Sequence, residues 1–141
     1  SQTLSTVHIT GTNGKGTLCT SLSKILPLLT STPLKIGLFT SPHISTFKER
    51  IQINNQKISE TFISEFLDLT FSHLDSQRYS LTYFEILTTM ALKYFMTHKV
   101  DLAILEVGMG GFSDSTNIIS DPILSVLTTV GLDHEVFLGD T

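Results

Sequence analysis

The stretch ITGTNGKGT, residues 9–17, follows a short run of β-branched residues and decides how the rest of the chain is interpreted. Its glycines at positions 11, 14 and 16 suit a backbone that adopts a positive φ or lets another group approach closely. Lys15 offers a point charge that can pair with phosphates, and Thr17 offers a hydroxyl suited to Mg²⁺. A phosphate-binding loop also needs a preceding strand and a following helix, so that amide dipoles converge on the anion.

Apolar patterning predicts both neighbours of this loop. Residues 4–10 read as a strand, and leucines and isoleucines recur at helical spacing from Leu18 onward. Pro27 should end or kink that helix, because proline cannot donate the backbone hydrogen bond. The general phosphate-loop spacing has a glycine where Ile9 stands, so a plain glycine-rich turn remains the alternative interpretation.

The rest of the chain alternates between strand and helix patterns. A hairpin is predicted at 50–58 around Asn54-Asn55. Further strands are predicted at 35–40, 101–108 and 122–131, and further helices from about 59 and from about 83 to 98. This order predicts an α/β fold with a mostly parallel sheet and helices on both faces. Ligands of such sheets bind at the carboxyl ends of the strands, where four segments should meet: 11–17, 41–43, 106–117 and 131–134.

Composition limits the classes of partner. The chain has 141 residues, which suits one domain with a real core, and a formal net charge of −4. This charge argues against a nucleic-acid groove or an anionic membrane surface. The single cysteine, Cys19, cannot form an internal disulfide and suits a reducing compartment. Without a long apolar run or a signal-peptide pattern, we expect a cytoplasmic protein with no membrane partner.

Three acidic or imidazole side chains stand out near predicted strand or helix ends. Glu106 is the last residue of a buried run, where it could deliver a carboxylate to a metal or be only a solvated acid. His134 follows the next strand and would lie beside Glu106 at the same edge, although a lone histidine is usually structural. Thr82 and Glu85 fit a capping box at the start of a helix, which alone makes Glu85 structural.

Taken together, seven motifs resemble the Mur ligase superfamily and, within it, the folylpolyglutamate and dihydrofolate synthases. They run in the family's order through nearly the whole chain: GTNGKGT, TSPHI, FKERI, LTYFE, LEVGMGG, STN and GLDH. The resemblance implies a P-loop-type nucleotide-binding domain and an enzyme, an ATP-dependent acid–amino-acid ligase. Such an enzyme phosphorylates a carboxylate and then joins it to L-glutamate. The implied small molecules are ATP, Mg²⁺, glutamate and dihydropteroate or a folate, and we expect a monomer.

The resemblance also implies roles for individual residues. The nucleotide site would comprise Gly11, Thr12, Asn13, Gly14, Lys15, Gly16 and Thr17. Mg²⁺ would be held by Ser41, Glu106 and His134, and the catalytic residues would be Lys15, Glu106 and His134. The pterin-bearing substrate would contact Thr82, Tyr83, Phe84, Glu85, Ser113, Asp114 and Ser115. In the family an arginine and a bulky aliphatic residue stand where this chain has Phe112 and Ser113.

Two alternatives to a folate ligase remain open on sequence: a sister ligase of cell-wall synthesis and a non-catalytic nucleotide-binding module. LTYFE and GKGT favour the folate branch. Family members continue beyond the LDH motif with further ATP contacts and a separate C-terminal domain. We therefore expect residues 1–141 to be the N-terminal, incomplete part of the ATP-binding domain, with no C-terminal domain and no ligase activity alone.

Overall fold

A six-stranded sheet organises the computed structural model, which describes residues 4–77 and 80–131. The strands lie in the order β4-β3-β2-β5-β1-β6. Their bounds are Thr6–Thr10 (β1), Ile36–Phe39 (β2), Ile51–Ile53 (β3), Gln56–Lys57 (β4), Leu102–Glu106 (β5) and Leu124–Leu127 (β6).

The four strands β2, β5, β1 and β6 run parallel to one another, and the β3–β4 hairpin extends one edge in antiparallel fashion. β1 lies between β5 and β6, with Val7 paired to Ile104 on one side and to Leu124 on the other. The predicted α/β fold with a mostly parallel sheet is therefore confirmed.

Helices cover both faces of the sheet. The helix α1 (Lys15–Ile25) packs on one face, where Cys19 joins a buried cluster of Val7, Ile9, Ile36, Leu38 and Ile104. The helices α2 (Glu60–Gln77) and α3 (Tyr83–Thr97) cover the opposite face around Phe39, Ala103 and Leu105. Successive residues of a strand point to opposite faces, so the apolar residues 102–105 of β5 supply both cores.

The helices begin and end where local chemistry predicts. α1 stops at Ile25, and Pro27 lies in the 3₁₀ turn Leu26–Leu28 that follows. α3 begins at a capping box, in which the Thr82 hydroxyl accepts from Glu85 N and the Glu85 carboxylate accepts from Thr82 N. Among the helices that the structure describes, none combines the length and apolar character needed to cross a bilayer.

The predicted turn at Asn54-Asn55 connects β3 to β4. Both asparagines have positive φ, 48° and 64°, which is the geometry of a tight two-residue hairpin and which asparagine tolerates better than most residues. Asn54 also accepts a hydrogen bond from Ile36 N at 2.7 Å through its Oδ1, so the turn is fixed to the start of β2.

Gly37 of β2 gives a direct test of the packing between the sheet and α3. A Cβ at this position would lie 2.8 Å from the Phe95 ring, so we expect Gly37→Ala to lower the free energy of unfolding by about 1–3 kcal/mol. Urea denaturation measures the change. Gly111→Ala is the matched control, since its Cβ would meet only Thr10 Oγ1 at 3.9 Å. Equal stabilities of the two variants would contradict the packing described here.

Candidate functional site

The carboxyl ends of the four parallel strands meet at one edge of the sheet. Ile9 pairs with Glu106, Thr10 with Leu127 and Phe39 with Leu105, so these strands end side by side. The loops that leave them carry the glycine-rich segment, Ser41 and the segment 107–114. The structure therefore brings together residues that are about a hundred positions apart in the chain.

The glycine-rich loop is tied to the residues that follow β6. Thr12 N donates to Thr129 O at 2.9 Å, and Asn13 N donates to the Thr129 hydroxyl at 3.0 Å. Gly11 has a φ of 129°, and a Cβ there would lie 2.2 Å from Thr128 Oγ1. Glycine is therefore required at position 11, and the amides of Thr12 and Asn13 are already bonded within the protein.

The N-terminus of α1 faces this loop without a cap of its own. Gly14 takes a left-handed conformation just before the helix, no side chain caps the first turn, and no acidic residue lies in it. The first amides of a helix point outward with partial positive charge and attract anions. Lys15 adds its ammonium group, which donates to Gly11 O at 2.6 Å and reaches Thr12 O at 3.4 Å. Thr17 follows on the same turn with an exposed side chain.

Glu106 is a carboxylate held in the protein interior, with 3% of its surface exposed. Ser41 N donates to its Oε2 at 2.9 Å, and a Cβ on Gly16 would lie 3.4 Å from the same oxygen. Burial raises the pKa of Glu106, while the Ser41 amide and the charges of Lys15 and Arg50 act in the opposite direction. A buried acid with cations nearby is a frequent feature of functional sites.

Two oxygens at this point have no partner among the described residues. They are Oε1 of Glu106 and the hydroxyl of Ser41, which accept or donate no hydrogen bond within residues 4–77 and 80–131. Hard oxygen ligands of this kind suit Mg²⁺. His134, the third predicted ligand, lies outside the described residues. Within the described ranges no group of three or more histidine, cysteine, aspartate or glutamate side chains could hold a metal.

Two adjoining cavities open at this edge of the sheet, and Lys15 lines both. The smaller, about 210 Å³, lies between the glycine-rich loop and the residues after β6. The larger, about 740 Å³, extends from Lys15, Ser41 and Arg50 to the start of α3 and to the segment 113–115. Gly108 and Met109 also line both cavities. A group bound at Lys15 can therefore contact ligands in either cavity.

Three of the four residues predicted at the start of α3 line the larger cavity: Thr82, Phe84 and Glu85. Phe84 also packs against Phe39 and Gly108, so the capping residues and Phe84 have structural roles as well. Tyr83 does not line the cavity, is 55% exposed and lies under the guanidinium of Arg50.

The predicted segment Ser113, Asp114 and Ser115 lines the same cavity. Asp114 is occupied within the loop, since it accepts from Met109 N at 2.9 Å, Thr116 N at 2.9 Å and the Thr116 hydroxyl at 2.5 Å. The Ser115 hydroxyl bonds that of Thr88 on α3 at 2.8 Å. Phe112 is 94% exposed.

Sequence reasoning missed several residues at the site. Arg50 and Pro42 line the larger cavity, and Thr129 holds the glycine-rich loop. The FKERI motif could have indicated Arg50, because Arg50 is the cationic residue directly before β3. Thr129 left no comparable signal, since its role arises only from the pairing of β6 with β1.

Glu49 organises the loop between β2 and β3. Its carboxylate accepts hydrogen bonds from the amides of Ile44, Ser45 and Thr46 at 2.9, 3.4 and 3.2 Å. These bonds, the one from Ile44 above all, lower the pKa of Glu49 to about 2. The loop that supplies Ser41 and Arg50 is therefore held by an ionised carboxylate.

We expect the stabilising effect of Glu49 to depend on pH. The pKa of Glu49 is lower in the folded protein than its ordinary value of 4.5, so its contribution is fully present above about pH 4.5 and is lost towards about pH 2. Glu49→Gln should therefore be less stable than the wild type at pH 7, and the difference should shrink between pH 5 and pH 3. Urea denaturation at several pH values tests this, with Glu65→Gln, an exposed residue of α2, controlling for the loss of one charge. A difference that stays constant down to pH 3 would contradict the role of Glu49.

Comparison with known proteins identifies relatives over nearly the whole chain. The mitochondrial folylpolyglutamate synthase of Bos taurus is 44% identical over 98% of this chain. The dihydrofolate synthase/folylpolyglutamate synthase of Haemophilus influenzae is 43% identical over 96% of it. A solved structure described as an FPGS-AMPPCP-folate complex superposes with a TM-score of 0.90, at 39% identity over 99% of this chain. No protein-family model matches the chain.

The chain spans only part of the length of these relatives: 24% of the bovine protein, 29% of the Haemophilus protein and 34% of the solved chain. Sequence identity near 40% over nearly the whole chain, together with a TM-score of 0.90, indicates homology and not only a shared architecture. Over nearly all of its length the chain is therefore homologous to the folylpolyglutamate and dihydrofolate synthases, which confirms the resemblance that its motifs predicted.

Proposed function

We propose that this chain supplies the nucleotide- and acid-binding site of an ATP-dependent ligase that joins L-glutamate to dihydropteroate or a folate. The observation that carries the proposal is the position of Lys15, which lines two adjoining cavities beside a buried carboxylate. The smaller cavity suits phosphates and the larger suits a second substrate. Relatives named for this activity, and a neighbour described as holding AMPPCP and folate, support the same assignment.

The phosphates of ATP would bind at the N-terminus of α1. The amides at positions 14–17 offer uncapped donors, and the Lys15 ammonium would exchange its bonds with the loop carbonyls for phosphate oxygens. Thr12 and Asn13 would keep the loop in shape rather than donate their amides, because Thr129 already accepts from both. The loop is thereby organised before nucleotide arrives.

Mg²⁺ fits the two unpartnered oxygens of Ser41 and Glu106, with His134 as the third proposed ligand. When bound, it would offset the negative charge of the phosphates, as metal ions do in phosphoryl transfer. Ser41 N would hold the Glu106 carboxylate in place through its bond to Oε2, leaving Oε1 for the ion. The charges of Lys15 and Arg50 favour the ionised form of Glu106 that a metal requires.

The reaction would proceed in two displacements. The carboxylate of the acid in the larger cavity attacks the γ-phosphorus, and the bond to ADP breaks, which gives an acyl phosphate and ADP. The amino group of glutamate then attacks the acyl carbon, loses a proton, and phosphate leaves as the amide forms. Lys15 would contact the transferring phosphoryl group, and the residues Thr82, Phe84, Glu85 and Ser113–115 would orient the acid.

The relatives favour a folate-type acid over a cell-wall precursor, because those reported above are named for folate substrates. A monomeric state, the lack of nucleic-acid or membrane partners and a cytoplasmic location remain proposals from the sequence. One relative is named as mitochondrial.

Lys15→Ala tests the nucleotide site. We expect the variant to fold normally and to lose measurable binding of an ATP analogue, because Lys15 supplies the ammonium at the mouth of the loop. Isothermal titration calorimetry measures the affinity, and thermal unfolding verifies the fold. Lys24→Ala, an exposed lysine in the last turn of the same helix, should bind as the wild type does. Unchanged affinity in a folded Lys15→Ala protein would refute the proposed phosphate loop.

Glu106→Gln tests the metal site. The amide oxygen of glutamine can still accept from Ser41 N, but the charge for Mg²⁺ is lost. We expect wild-type nucleotide affinity to rise at least about tenfold when Mg²⁺ replaces EDTA, a gain of about 1.4 kcal/mol, and the variant to show no such gain. Asp68→Asn, an exposed residue of α2, serves as the control and should respond to Mg²⁺ normally. A full Mg²⁺ response in Glu106→Gln would exclude Glu106 as a ligand.

A further inference from the structure

The larger cavity is lined by two cations, Lys15 and Arg50, and their surroundings differ. The Lys15 ammonium is already bonded to Gly11 O at 2.6 Å, on the side of the glycine-rich loop. Arg50 ends the 3₁₀ turn Phe47–Arg50, and its carbonyl accepts from Thr40 N at 3.0 Å. Its backbone is therefore fixed to the segment that follows β2, directly before Ser41.

The side chain of Arg50 is oriented by two aromatic rings. Its Nε donates to His43 Nδ1 at 2.9 Å, and its Cζ lies 5.7 Å from the centroid of the Tyr83 ring. Within residues 4–77 and 80–131, no group accepts a hydrogen bond from its two terminal amino groups, and no carboxylate forms an ion pair with it. The guanidinium is thus held in place while its outer edge remains available.

The acids that line the same cavity are bonded elsewhere. Both the amide and the hydroxyl of Thr82 donate to Glu85 Oε2 at 2.7 Å, and Asp114 accepts from Met109 and Thr116. The Arg50 guanidinium therefore has no ion-pair partner among the described residues, although its charge acts through space on the buried Glu106. A planar guanidinium with two free amino groups matches the two oxygens of a carboxylate.

We propose that Arg50 binds the carboxylate of the acid substrate in the larger cavity and thereby determines that this cavity accepts acids rather than their neutral analogues. The inference rests on the proposed function and assigns the recognition of its acid to one residue. His43 and Tyr83 act as positioning residues, because they fix the plane of the guanidinium. A purely structural Arg50 would hold the loop and the tyrosine in place without distinguishing a carboxylate from a carboxamide.

The test compares pteroate with its carboxamide, which has the same shape without the charge. Calorimetric titrations use the wild type, Arg50→Gln, Arg50→Lys and the control Lys48→Gln. Lys48 lies on the same 3₁₀ turn but pairs with Glu60 at 2.8 Å. We expect the wild type and Lys48→Gln to prefer pteroate at least about tenfold, which corresponds to about 1.4 kcal/mol. Arg50→Gln should bind both compounds alike, and Arg50→Lys should recover part of the preference.

A separate titration with an ATP analogue distinguishes failure of the Arg50 proposal from failure of the proposed function. A folded Arg50→Gln protein that still binds the ATP analogue but has lost the preference for pteroate supports the role of Arg50. A retained preference in a folded Arg50→Gln protein overturns it, as does a wild type that binds the two compounds equally or binds neither. A wild type that binds no nucleotide refutes the proposed function, whatever the pteroate result. If Arg50→Gln does not fold, Tyr83→Leu replaces it, with a reduced preference expected and an unchanged one overturning the proposal.

Discussion

The pairing of β1 between β5 and β6 is the constraint on which the site depends. Ile9 lies beside Glu106, and Thr10 lies beside Leu127, so the glycine-rich loop begins where two other strands end. A shift of this register by one residue would turn Glu106 from the α1 side of the sheet to the other face. The apolar residues of β1 and β5 prevent such a shift, because each strand contributes buried side chains to the cores that fix it.

Burial of Glu106 costs free energy that the protein offsets only in part. The Ser41 amide and two cations favour the charged carboxylate, yet burial remains the larger effect on its pKa. The metal ion proposed for Glu106 would bind at little further desolvation cost, because the carboxylate has already lost its water. The chain as a whole carries a net charge of −4, so the proposed attraction for anionic phosphates would come from Lys15 and the end of α1 rather than from the overall field.

Features that depend on neighbouring residues were predictable from the sequence. The end of α1 before Pro27, the turn at Asn54-Asn55 and the capping box of Thr82 and Glu85 all follow from local backbone chemistry. Contacts between residues far apart in the chain were not predictable from the sequence, because they depend on the three-dimensional arrangement. Thr129 meets the glycine-rich loop only because β6 pairs with β1, and Arg50 meets Tyr83 across two separate elements. The contact between Ser41 and Glu106 was predictable in part. The predicted parallel sheet placed both residues at the same edge, but it did not predict the hydrogen bond from Ser41 N to the Glu106 carboxylate.

The polar residues in the larger cavity, and the buried Glu106 beside it, divide according to whether their side chains already form hydrogen bonds within the protein. Asp114, Glu85 and Thr82 form hydrogen bonds with their own loop or helix, so they shape the cavity and keep its walls rigid. The Ser41 hydroxyl, Glu106 Oε1 and the outer edge of Arg50 have no such partners within the described ranges. Polar groups in a cleft gain most from a ligand when the protein leaves them unpaired and holds them still. The proposed ligand recognition at this edge of the sheet would therefore depend chiefly on the few polar groups that the fold holds in place without giving them a hydrogen-bond partner.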